Sequence, residues 1–301
     1  MWAVKWSLVG LGLTAVLQLV VAATTGSVAV LADTVHNLGD AATAIPLWIA
    51  FALARLKPTP RFTYGYGRAE DLAGVAVVVA VLLSAAFAAY ESIHRFLELQ
   101  EVQHLWAVAL AGAIGFAGNE AVARLRINVG KEIGSAALEA DGQHARADSL
   151  TSLAVIAGAA GIALGFPMAD PIAGLVISVM ILRIAWGSIK AVFGRLLDGV
   201  DPEVVEEVRE VTGRGRGVED VTEVRVRWFG HRLLAEVNLA VSPELHVHDA
   251  HDIAQEVEHD LLHRLPYLSQ ATIHIDSKDH SGEGHHRVGE HAHGEHPAHS
   301  H

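Results

Sequence analysis

Two five-residue segments set an imidazole and a carboxylate at helical spacing: His36-Asn37-Leu38-Gly39-Asp40 and His144-Ala145-Arg146-Ala147-Asp148. Positions i and i+4 share one face of a helix, so each segment presents one nitrogen and one oxygen donor side by side. Together His36, Asp40, His144 and Asp148 offer two nitrogens and two oxygens, enough for the tetrahedral site that Zn²⁺ favours. A lone His in an apolar helix most often hydrogen-bonds a neighbour. Two copies of the pair change that reading, because each uncompensated charge in hydrocarbon costs about 2.5 kcal/mol or more. The chain has no cysteine, so any metal must be held by nitrogen and oxygen.

The elements that would carry these pairs are membrane spans. Apolar residues make up 51% of the 301 residues and charged residues 19%, against roughly 25% charged in a typical globular domain. A spanning helix needs about 20 mostly apolar residues. Six stretches qualify, near residues 6–27, 30–54, 70–93, 104–123, 134–164 and 170–192. The N-terminus, Met1 to Ala32, carries Lys5 and then no charge, too long an apolar run for a signal peptide. Arg55, Lys57, Arg61 and Arg68 follow the second stretch, Arg124, Arg126 and Lys131 the fourth, and Lys190 and Arg195 the sixth. Basic loops stay in the cytosol, which puts both termini on that side.

From Leu196 to Asp276 the chain has 17 acids against 7 bases, while the stretch before it is neutral. Such a domain attracts cations and repels nucleic acid, so no nucleic-acid partner is expected. Asp201-Pro202-Glu203 is a helix start, with a capping Asp and Pro at the first helical position. Val221–Phe229 and Leu233–Val241 alternate with strand period around Gly230-His231, while Ile253, Val257 and Leu261 recur at four-residue spacing. Ala271–Asp276 closes as a strand. This α-β-β-α-β order predicts a small α+β, ferredoxin-like domain. After Ser277 periodicity ends and eight histidines are scattered among Gly, Glu, Pro and Ala, the composition of a disordered, metal-attracting tail. The expected domains are therefore a six-helix membrane domain over 1–195, a cytosolic domain over 196–278 and a tail over 279–301.

These residues make the chain resemble the cation diffusion facilitator family of metal/proton antiporters. The resemblance rests on the two His/Asp pairs, on Tyr64-Gly65-Tyr66-Gly67-Arg68-Ala69-Glu70, and on the pattern Gly230-His231, His251, His274-Ile275-Asp276. It implies a homodimer in the bacterial inner membrane that exports a divalent metal in exchange for protons and is not an enzyme. It also makes His36, Asp40, His144 and Asp148 the transport ligands, and His231, His251, His274 and Asp276 a cytosolic metal site. Two departures stand out: Pro58–Tyr66 has Arg61 and Tyr66 where some relatives carry an additional metal site, and Asn238 stands where some carry His. His246 and His248 could add ligands, whereas His259 and His263 read as ordinary surface positions.

Two imidazoles favour Zn²⁺ as cargo, with Co²⁺, Ni²⁺ and Cd²⁺ as secondary candidates. Metal ligands must lose protons to bind, so metal and protons compete for the same atoms and exchange needs no ATP. No Gly-x-x-x-x-Gly-Lys-Ser/Thr loop is present. Two other functions compete. An intramembrane metal hydrolase would need a His-Glu-x-x-His motif, which the chain lacks. A membrane-anchored metal buffer or sensor would need only the tail, and would leave the buried pairs unexplained.

Overall fold

The computed structural model describes residues 2–25, 44–97 and 105–280. The chain divides into two compact units, Met1–Leu197 with Phe229–His231, and Asp198–Trp228 with Arg232–His301.

The first unit is helical: α1 (Trp2–Thr25), α2 (Ala44–Leu53), α3 (Arg68–Leu97), α4 (Leu105–Ile133), α5 (Ala136–Ala163) and α6 (Ala169–Leu196). Four of these, α1, α3, α4 and α6, are long and apolar enough to cross a membrane. α2 is a shorter apolar helix that begins where the described residues resume, and α5 is long but carries the charged segment around His144. α4 runs ten residues past the expected end at residue 123. That extra length carries Arg126, which meets Asp141 of α5.

Local signals explain where the helices begin. Ser135 caps α5, its hydroxyl accepting from the Leu138 amide at 3.1 Å, which satisfies one of the donors left open at a helix start. Glu70 and Asp71 occupy the first turn of α3 and Arg95 its last, signs that complement the helix dipole. Arg95 also reaches Asp170 at the start of α6, at 3.0 Å.

In a membrane helix packing depends on small residues that let backbones approach. α4 and α5 show this at several glycines, two of them instructive. A Cβ at Gly112 would stand 2.9 Å from Ile156 and 3.1 Å from the Ser152 carbonyl, and one at Gly142 would stand 2.8 Å from the Ile127 backbone nitrogen. Neither position has room for a side chain. Val77, Val81, Ile181 and Ala185 then join α3 and α6 to Ala140 and Ala147 of α5.

The second unit has the expected order: α7 (Pro202–Gly213), β1 (Asp220–Phe229), β2 (Arg232–Val241), α8 (Val247–Arg264) and β3 (Leu268–Ser277). The Asp201 carboxylate caps α7 by accepting from the Glu203 amide at 3.2 Å. The sheet order is β1-β2-β3, and β2 runs parallel to β3 with Asn238 opposite His274. Leu233, Ala235, Val237, Leu239 and Val241 are buried in alternation, as the two-residue strand period requires. They pack with Val208 of α7 and Val257 and Leu261 of α8. Between β1 and β2 the chain turns at Gly230, whose φ of 62° favours glycine.

Candidate metal centre

His144 and Asp148 face the interior of the helical unit at 1% and 6% exposure. The imidazole Nδ1 stands 3.8 Å from the carboxylate Oδ1. The i, i+4 spacing on α5 places them side by side, as their sequence order predicts. At this separation the two side chains can converge on one ion, since tetrahedral Zn²⁺ sits about 2.0–2.2 Å from each donor. His36 and Asp40 lie outside the described residues.

Asp141 lies three residues before His144, on the same face of α5. It is fully buried, and its carboxylate meets the Arg126 guanidinium of α4 at 2.9 Å. Among the described residues, Nε and Nη2 of Arg126 and both Asp141 oxygens have no hydrogen bond of good geometry. The ion pair is thus a charge contact with little directional support. Sequence reading missed it, although a signal was present: both candidate histidines follow an Ala-Asp by the same interval, Ala32-Asp33 before His36 and Ala140-Asp141 before His144. On the exposed side of the same helices, Glu120 receives Arg124 at 2.8 Å and Arg146 at 3.4 Å.

The four expected cytosolic ligands are not gathered within one chain. His274 Nε2 meets Asp276 Oδ1 at 3.1 Å, as two residues on one strand face should. His251 Nε2 instead contacts the Gln255 amide at 3.1 Å. His231 lies at the turn before β2. It clusters with the first unit, its Nδ1 2.7 Å from Glu70 Oε2 and its ring 6.1 Å from that of Phe51. Glu70 is 1% exposed and also accepts from the Ser135 hydroxyl. Beside His274 the sheet supplies Asn238, whose amide donates to Glu223 at 3.3 Å. Among the described residues no group of three or more His, Asp or Glu side chains could hold a metal.

An apolar helical bundle thus carries a buried imidazole and carboxylate and is followed in the chain by a small α/β domain. The chain belongs to the cation efflux family: residues 4–197 match its transmembrane domain and residues 200–278 its cytoplasmic domain. It is a multi-pass integral membrane transporter of metal ions, as members of this family are, and not an enzyme. It is 53% identical over 277 residues to a "Probable cation efflux system protein" of Mycobacterium tuberculosis, covering 92% of this chain and 83% of that one. A zinc transporter, ZitB, of Yersinia pseudotuberculosis is 31% identical over 256 residues, covering 83% and 80%. The manganese efflux system protein MneP of Bacillus subtilis is 25% identical over 258 residues, covering 83% and 86%. A solved structure, "MamM CTD D249N - Nickel form", matches 25% of this chain and 98% of its own at 25% identity and a TM-score of 0.25.

Proposed function

We propose that the protein exports zinc from the cytosol in exchange for protons, through a tetrahedral site made by His36, Asp40, His144 and Asp148. The observation that carries this reading is the buried His144–Asp148 pair, 3.8 Å apart on α5. Burying both groups in a helical bundle is costly unless a cation or a proton compensates them. Two imidazoles in the donor set favour zinc over harder cations such as manganese, with Co²⁺, Ni²⁺ and Cd²⁺ as secondary cargo. The likeness to a zinc transporter supports zinc, and the weaker likeness to a manganese exporter marks the alternative cargo. Protons compete with the metal for the same nitrogen and oxygen atoms, so release on the side of higher acidity follows without ATP.

The functional unit in this reading is a homodimer of the bacterial cell membrane with both termini cytosolic. The cytoplasmic domain contributes a metal-binding role through His274 and Asp276, with His251 on the first turns of α8 as a further ligand. The membrane-anchored buffer reading would rest on the tail, and it leaves the buried pair without a purpose.

Purified protein in sealed vesicles, loaded with a zinc reporter and a pH reporter, tests the proposal. Zinc uptake that moves protons the opposite way is the expected result. Manganese flux in preference to zinc, or zinc flux indifferent to a pH gradient, would overturn it.

A further inference from the structure

The buried stripe of α8 is Ala250, Ala254, Val257 and Leu261. At 100° per residue the opposite stripe is His248, Asp252, Glu256, His259 and His263. Each of the five is a residue type that can ligate metal. Near its end, His259 and His263 are both exposed and their rings stand 4.2 Å apart, centroid to centroid, at 64°. The sequence between them is Asp260-Leu261-Leu262, so the two imidazoles sit at i and i+4. Two His at this spacing on one helical face form a bidentate metal chelate.

We propose that His259 and His263 bind one divalent transition metal ion on the outer face of α8. Imidazole donors select borderline cations, Zn²⁺, Ni²⁺ and Cu²⁺, over Mg²⁺ and Ca²⁺. Two protein donors leave open positions for water, and Glu256 lies one turn earlier on the same face. Three further features favour a cation here. His263 is in the last turn of α8, where the helix dipole is negative. Glu256, Glu258 and Asp260 surround the pair in sequence, against Arg264 alone. The two rings already stand in contact, so less rotamer freedom remains to be lost on binding. A bare edge-to-face ring contact is the competing account, and it requires no metal.

This site is separate from the buried His144–Asp148 pair and from His274–Asp276, and it does not depend on the transport reading. Equilibrium dialysis of the full chain in detergent against Ni²⁺ tests it. His259→Gln and His263→Gln should each lower the bound Ni²⁺ by one ion per chain, because either change halves the chelate. Leu262→Gln changes an exposed side chain beside the pair that carries no ligand atom, and should leave the count unchanged. Zinc flux in vesicles should be retained in all three variants. Equal Ni²⁺ binding by parent and both pair variants would overturn the proposal, as would a loss in Leu262→Gln equal to theirs. Failure of zinc export by the parent protein would bear on the transport reading and leave this site standing.

Discussion

Arg126 of α4 and Asp141 of α5 form an ion pair at 2.9 Å with 1% and 0% of their side chains exposed. Taking two charges out of water costs several kcal/mol per ion, and the mutual attraction repays this only when other hydrogen bonds complete the pair. Here they do not. Removing one partner leaves a buried charge uncompensated. We expect Arg126→Leu or Asp141→Leu to lower stability by about 3–5 kcal/mol, and the double variant to recover most of it. Thermal unfolding in detergent reads this directly, and additive losses in the double variant would refute a direct pairing.

His144→Ala or Asp148→Ala should abolish metal flux in vesicles while the protein stays folded. Each change removes one donor from the proposed four-residue site. Loss of a mere supporting partner costs about 10–100-fold in affinity, and a ligand costs more. Near-parental zinc flux in either variant would remove α5 from the ion's path.

Asn238 stands opposite His274 on the neighbouring parallel strand, and strands are about 4.8 Å apart. Asn238→His would therefore add an imidazole next to His274 and Asp276. Zinc binding by the cytosolic domain should tighten by about tenfold or more, equivalent to ~1.4 kcal/mol, as read by titration calorimetry on the full chain. Unchanged heats would show that His274 and Asp276 do not face a common ion.

Truncation after Ser277 should leave flux intact at saturating zinc, because a segment of Gly, Glu, Pro and scattered His has no pattern able to pack. A raised half-saturation concentration with unchanged maximal flux is the expected kinetic signature. Loss of maximal flux would mean that the tail takes part in transport itself.

Much of the fold was legible because it depends on periodicity. The cap at Asp201, the alternation of Leu233 to Val241 and the four-residue repeat through Leu261 each predicted an element that the structure contains. The His144/Asp148 pair was legible for the same reason, since i and i+4 are neighbours on any helix. What sequence could not give was register between elements. Arg126 finds Asp141 because Gly142 lets α5 lie against Ile127, a fact of packing rather than of spacing. His231 meets Glu70 of the first unit, a contact that no sequence spacing announces. His259 and His263 looked unremarkable because exposure alone says nothing about whether two rings converge.

The glycine contacts between α4 and α5 have a mechanical consequence. Where side chains separate two helices, each can slide or roll by changing rotamers, and the layer between them acts as a lubricant. At Gly112 and Gly142 that layer is missing, and each glycine lies directly against the facing helix. The two helices behave as a single strut that bears load without slack. Any rearrangement that turns the His144–Asp148 pair from one side of the membrane to the other must then pivot neighbouring helices about this strut, or carry it whole.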